Sequence, residues 1–160
     1  MKKTNAMRIL DGMGISYSVI EYDDDTEHSL ERGAAEKTAE KIGADPATVF
    51  KTIVMRTDSK EVVVYCQSAV HEINLKKARQ AAGAKEVSPV KQDELLALTG
   101  YVRGGCSPIG MRKKYRTFID SSAMECGQIN VSAGLRGLQL RLSPSDLAKA
   151  VNADFVDLVL

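Results

Sequence analysis

The sequence has no tryptophan, and only five tyrosines and three phenylalanines. Surfaces that read nucleic acid base by base stack the bases on aromatic rings, so this shortage excludes that mode of recognition. His28 and His71 are the two histidines, and Cys66, Cys106 and Cys126 are odd in number, widely spaced and never arranged as CxxC. That spacing assembles no recognisable zinc set, and neither a metal nor a cofactor is expected. No apolar run reaches the roughly 18 residues of a membrane span. The opening MKKTNAMRILDG has lysines but no apolar stretch behind them, so it does not read as a signal peptide, and the protein is expected to be cytoplasmic, without membrane contact. A dominant charge is lacking too: 22 Lys and Arg against 21 Asp and Glu leave a net +1. Average composition therefore excludes a dedicated nucleic-acid coat, and any such binding must come from local patches.

What is present fits one compact domain spanning residues 1–160, since 160 residues with 44% hydrophobic content can bury a substantial core. Thr4 caps a short helix running to about Met13, and SYSVIEY alternates as a strand. Ser29 to Ile42 has helical composition and is closed by Gly43. TVFKTIVMRT and EVVVYCQS, joined through Asp58, Ser59 and Lys60, have the signature of a β-hairpin. Helices follow from about Asn74 to Ala82 and in VKQDELLAL, stopped by Gly83 and Gly100. GYVRGG, KYRTFID, QINVSA and LQLRLS are four strand candidates, Ser143 and Pro144 open a further helix, and DFVDLVL can supply a last strand. The pattern predicts an α+β fold: a single domain with a mixed, largely antiparallel, partly barrel-like sheet and surrounding helices.

TVFKTIVM holds an oddity. Alternation puts Val49, Lys51, Ile53 and Met55 on one face and Phe50, Thr52 and Val54 on the other, so an ammonium group stands in an apolar strand. One reading is that Lys51 lays its methylenes on apolar neighbours and lifts its head into water. The other is that the strand presents a cation to a ligand.

The densest chemistry lies in GYVRGGCSPIGMRKKYRTFID. Gly105 and Gly110 have GxxxxG spacing, but Met111 and Arg112 stand where a phosphate loop needs Lys and Ser or Thr, and a strand pattern follows. A nucleotide-hydrolysing loop is excluded. The glycines then mark either a tight turn stiffened by Pro108 or a loop whose backbone N–H groups face an oxyanion. Cys106 has no histidine nearby in sequence to activate it as a nucleophile. Arg112, Lys113, Lys114 and Arg116 form a basic run suited either to solvent or to an RNA phosphate backbone.

Taken in order, TVFKTIV, LKKA with AAGAKEV after it, TGYVRGGCSPIG, the FID strand, INVSAG and LRGLQLRLSPSDLAK resemble the YbaK/EbsC family of bacterial proteins that deacylate mischarged tRNA. The likeness runs from about residue 4 to the C-terminus. Relatives of these domains occur inside some prolyl-tRNA synthetases, so the resemblance implies a free-standing enzyme acting in trans on the acceptor end of a mischarged tRNA. Cys-tRNA(Pro) is the expected substrate, with Cys-tRNA(Cys) a further one and prolyl-tRNA synthetase an expected partner. A monomer is favoured. By motif matching, Lys51 and Gly105 are the expected catalytic positions. Tyr22, Leu30, Thr52, Gly104, Ser107 and Ser132 are expected to line the substrate site, with Arg112, Lys113 and Lys114 as weaker contacts to the tRNA backbone. Two positions depart from the family pattern. Cys106 occupies a variable place in GGxSP, and Gln139 stands where some relatives carry Asp.

The implied chemistry has a physical motive. Cysteine and proline differ little in bulk, and a difference of about a methylene gives a pocket only roughly 1–3 kcal/mol of discrimination. A second site must then remove the error. The family's route is substrate-assisted, with the cysteine thiol attacking its own ester. The alternatives are editing of Ala- or Ser-tRNA(Pro) by a bound water, or a non-catalytic tRNA-binding or regulatory module.

Overall fold

The computed structural model describes residues 2–23 and 34–160. Thr4 opens helix α1 (Asn5–Gly12) by accepting a hydrogen bond from the Met7 N–H at 3.3 Å, and Ala6, Met7 and Leu10 form its buried side. Strand β1 (Ser18–Glu21) and helix α2 (Ala34–Ile42) follow. The hairpin appears as β2 (Phe50–Thr57) and β3 (Val62–Ser68), its turn passing through Lys60 at φ 73°. Asn74 caps α3 (Leu75–Ala82) through its side-chain oxygen, and Gly83 ends it in the left-handed region that glycine adopts without strain. Next come β4 (Val87–Pro89), α4 (Gln92–Thr99), β5 (Arg116–Asp120), β6 (Ile129–Ser132) and β7 (Leu138–Leu142). Ser143 caps α5 (Pro144–Val151), with Pro144 at its first position, and β8 (Asp154–Val156) closes the order.

The strands form two sheets, β4-β2-β3-β5-β8 and β1-β7-β6. Four pairings are antiparallel, while β3–β5 and β5–β8 are parallel, so the sheets are mixed and largely antiparallel as the sequence suggests. The barrel-like character is a corner: β2 and β6 touch through one parallel bridge, Val49 to Asn130, and the sheets then diverge without closing. GYVRGG, expected as a strand, is a turn instead. Gly100 and Gly104 take φ of 84° and 86°, and the Gly105 N–H bonds back to the Val102 carbonyl at 3.0 Å. Glycines supply the positive φ that reverses the chain and no side chain for a sheet to pack. Of the predicted helix from Ser29 to Ile42, the part before Ala34 lies outside the described residues.

The main core fills the space between the sheets. Phe50, Val54, Val64, Cys66 and Ile119 meet Ile129, Val131, Leu138, Leu140 and Leu142, with α1 and Leu147 of α5 closing the ends. Each leucine-sized side chain buried there contributes about 1.5–3 kcal/mol. On the other face of the larger sheet, Met55, Val63, Tyr65 and Phe118 pack on Ala78 and Ala82 of α3. A third cluster joins Ala39 and Ile42 of α2 to Val49, Ile20 and Tyr22. That cluster covers part of the outer face of the three-stranded sheet.

Candidate active site

Strand registers decide which predicted residues meet. Ile20 of β1 is paired with Gln139 of β7, and Gln139 with Ser132 of β6, so the three share a face. Tyr22, two residues beyond Ile20, continues that face, its N–H held by the Gly137 carbonyl at 3.0 Å. The Val49–Asn130 bridge extends it onto β2, where alternation places Lys51 on Val49's side as it places Ser132 on Asn130's. Tyr22, Lys51, Ser132 and Gln139 therefore come together from four strands of two sheets. One end of the face is closed: Arg141 Nε donates to Asn130 Oδ1 at 2.9 Å, Asn130 Nδ2 donates to Thr48 Oγ1 at 3.1 Å, and α2 lies over Val49. At the other end Lys51 is exposed.

Three buried polar atoms meet no partner among the described residues: Gln67 Oε1, Ser68 Oγ and Gln139 Oε1. Gln67 is the cross-strand neighbour of Lys51 and shares its face, Ser68 is that of core-facing Phe50, and Gln139 stands opposite Ser132 on the three-stranded sheet. An orphaned buried acceptor costs about 1–3 kcal/mol, which a fold tolerates where a ligand can supply the missing donor. Gln139 presents a neutral amide there.

The glycine loop is fastened to the same region. Val102 to Gly105 is a tight turn with Gly104 in its third place, the position that requires positive φ in a type II turn. Gly105 is buried against the segment that leaves Ser132: a Cβ on it would lie 3.0 Å from Arg136 N and 3.2 Å from the Leu135 carbonyl carbon. Arg136 fixes the pair of loops by donating from Nε and one terminal nitrogen to the Arg103 carbonyl at 2.9 and 2.8 Å. The Ser132 hydroxyl oxygen accepts from the Gly134 N–H at 3.1 Å. Tyr101 donates to the Ile109 carbonyl at 2.6 Å, and Asn5 of α1 donates to the Gly110 carbonyl at 2.7 Å. Ser107 is buried and accepts from the Ile109 N–H at 3.2 Å, so its hydroxyl shapes the loop. The Gly105 N–H is committed to Val102, while the N–H groups of Val102, Arg103, Gly104, Cys106 and Ser107 meet no acceptor among the described residues.

The remaining predicted residues sit elsewhere. Thr52 occupies the opposite face of β2 from Lys51, half-buried and paired across the strands with Cys66. Leu30 lies outside the described residues. Arg112, Lys113 and Lys114 are exposed and precede β5, whose Arg116 is level with Val63 and hence with Met55, at the far end of the hairpin from Lys51. Arg112 lies against Gly100, and Arg116 is forked onto Glu61 at 2.8 Å. Burial pushes the Cys106 thiol up to about 11, against the opposing pull of its hydrogen bond with Thr99. Cys66 is pushed up to about 12 by complete burial. Both are thiols at neutral pH, so neither is an activated nucleophile. Among the described residues no group of His, Cys, Asp and Glu is placed to hold a metal ion, and no helix is long and apolar enough to cross a membrane.

Arg136 and Tyr101 were not singled out by sequence. The signal for Arg136 is its place in GLRG, a short cationic turn bracketed by Gly134 and Gly137, both at positive φ. Chemically, the site offers the exposed Lys51 cation, backbone donors of the glycine loop and neutral acceptors, a set suited to holding a polar or anionic group near a carbonyl.

Comparisons with known proteins bear on the family and the fold. The model of the aminoacyl-tRNA editing domain family matches residues 31–150. A relative from Enterococcus faecalis named "Putative Cys-tRNA(Pro)/Cys-tRNA(Cys) deacylase EbsC" is 36% identical over 98% of this chain and 93% of its own length. A proline–tRNA ligase from Bacillus cytotoxicus is 30% identical over 61% of this chain but only 18% of its own length. The fold is shared with the "Crystal structure of a putative trans-editing enzyme for prolyl tRNA synthetase", with a TM-score of 0.84 at 21% identity, covering 100% of this chain and 99% of that one.

Proposed function

This chain belongs to the aminoacyl-tRNA editing domain family, and we propose that it is a free-standing cytoplasmic deacylase, one domain over residues 1–160, that clears Cys-tRNA(Pro) in trans. The observation that carries the reading is the shared face of Tyr22, Lys51, Ser132 and Gln139, with the glycine loop clasped to its edge and the protein's nearest thiols held protonated. Lys51 is the cation that receives the terminal phosphate or ribose of the tRNA. Such a charge on a rigid strand orients the ester before reaction, and orientation can remove a large part of a barrier. The N–H groups of Gly104 and Cys106 stabilise negative charge developing on the carbonyl oxygen.

The substrate supplies the nucleophile. The thiol sulfur of the esterified cysteine forms a bond to its own carbonyl carbon, the ester C–O bond breaks, and the thiol proton ends on the released ribose oxygen. Cyclised cysteine and free tRNA leave, and no group on the protein changes its covalent state. Cleavage of Cys-tRNA(Pro) and Ser-tRNA(Pro) at equal rates would refute thiol assistance and leave water as the attacking group. Expected is a cysteine substrate cleaved at least tenfold faster. Purified protein that binds these tRNAs but leaves every mischarged ester intact would identify a binding module instead.

A further inference from the structure

The clasp between the glycine loop and the Arg136 turn has an outer surface that the deacylase chemistry does not use. Val102 and Leu135 are 50% and 57% exposed at the tips of the two turns, although both are aliphatic. Gly105, whose N–H closes the Val102 turn, packs backbone to backbone on Leu135, so the two tips are adjacent. Arg103, next to Val102 in the turn, is exposed, and among the described residues its guanidinium hydrogen-bonds to Gln92 of α4 through a long 3.4 Å bond. Arg136 spends two nitrogens on a carbonyl. Among the described residues neither guanidinium is paired with a carboxylate. Aliphatic surface flanked by two unneutralised guanidiniums, at the rim of a site that holds an aminoacyl ester, has the chemistry of a seat for unpaired nucleotides. Unpaired bases stack on guanidinium planes and bury their faces against aliphatic side chains, and phosphates pair with the charges.

We infer that Val102, Arg103, Leu135 and Arg136 form the seat for the single-stranded 3′ end of the RNA, and that the RNA leaves the site across this clasp. The inference rests on the deacylase reading for its choice of RNA. It also assigns backbone contact away from the Arg112–Lys114 run, which lies at the other end of the hairpin from Lys51.

The test is fluorescence anisotropy with an uncharged acceptor minihelix ending in four unpaired nucleotides, beside the same helix with a blunt end, at two salt concentrations. Arg103→Ala keeps the carbonyl that Arg136 grips and removes only the charge, so it folds and lowers the salt slope of log Kd by about 0.7, the value for one phosphate contact on a single strand. Arg103→Glu weakens binding of the tailed helix by about tenfold and leaves the blunt helix unchanged, while Lys85→Glu, a charge change at the α3–β4 connection, does neither. Val102→Ser with Leu135→Ser weakens the tailed helix several-fold with the salt slope intact. Equal binding of tailed and blunt helices overturns the inference, as does a Lys113→Glu, Lys114→Glu variant that weakens the tailed helix more than Arg103→Glu does. Double-serine variants with normal RNA affinity that lose association with prolyl-tRNA synthetase make the patch a protein-docking surface and also overturn it. Turnover of Cys-tRNA(Pro) by the wild type, measured alongside, reports on the deacylase reading by itself, because uncharged RNA binds or fails to bind whether or not an ester is cleaved.

Discussion

Replacing Gly105 by alanine separates packing of the loop from its conformation. Gly105 does not take the left-handed φ of Gly104, so an alanine there meets no backbone strain of its own, and the whole effect comes from one added methyl. That methyl carbon would lie 3.0 Å from Arg136 N, 3.2 Å from the Leu135 carbonyl carbon and 3.3 Å from Leu135 Cα. All three are backbone atoms, so no rotamer change relieves them and the two loops must part by a few tenths of an ångström. Overpacking of this kind costs typically 1–3 kcal/mol. At the lower half of that range, about 1–2 kcal/mol, a chain of this size loses about 2–8 °C in Tm. The same displacement moves the Gly104 and Cys106 N–H groups relative to Lys51, and a misplacement approaching an ångström can lower turnover by about a hundredfold. Thermal unfolding and single-turnover deacylation of Cys-tRNA(Pro) are to be measured on the same preparation. The expected pattern is a small fall in Tm with a fall in kcat of up to about tenfold, since the displacement is a fraction of an ångström. Wild-type turnover and Tm in Gly105→Ala would refute the claim that this contact sets the loop. Collapse of the fold would refute the claim that the contact is local.

Lys51→Ala is expected to lower deacylation by at least a hundredfold while Tm stays within about 2 °C, because exposed side chains seldom contribute more than about 0.5 kcal/mol to stability; unchanged turnover removes Lys51 from the mechanism. Cys106→Ala should keep near-normal activity, and alkylation of Cys106 in the wild type should stay slow until the pH nears 11, so a dead variant would revive a protein nucleophile. Burial raises Tyr65 and Tyr101 to about 12 from their ordinary 10, and Cys66 to about 12 from 9. In the unfolded chain these groups shed protons first, so stability is full below pH 9 and falls as pH rises from about 9 to 12. A Tm that stays level from pH 8 to 11 would contradict their burial.

Much of the fold was legible because it is written locally. Thr4, Asn74 and Ser143 cap helices with their own side chains, Gly83 and Gly100 end them, and the β2–β3 hairpin follows from two branched apolar runs around a short polar turn. GYVRGG misled because Tyr101 and Val102 resemble strand residues, whereas the glycines on either side favour reversal. Strand β4 went unread because it has three residues, one of them Pro89, and exists only by pairing with β2. Within the site, the motifs supplied Lys51, Gly105, Ser132 and Tyr22 as names. That Thr52 shares its face with Cys66, and that Ser107 spends its hydroxyl on its own loop, could not be read from spacing.

By itself the sequence determined the helix caps, the hairpin, the alternation that puts Lys51 and Thr52 on opposite faces, and the family likeness, since each depends on residues close in the chain or on an ordered motif. Only the tertiary structure decided what Lys51 faces. The Val49–Asn130 bridge joins distant segments and carries Lys51 alongside Ser132, and the contact of Gly105 with Arg136 binds the glycine loop to the same edge. Such pairings gain free energy only after the cost of closing long loops has been met, so they are fixed by the whole core and not by any short stretch.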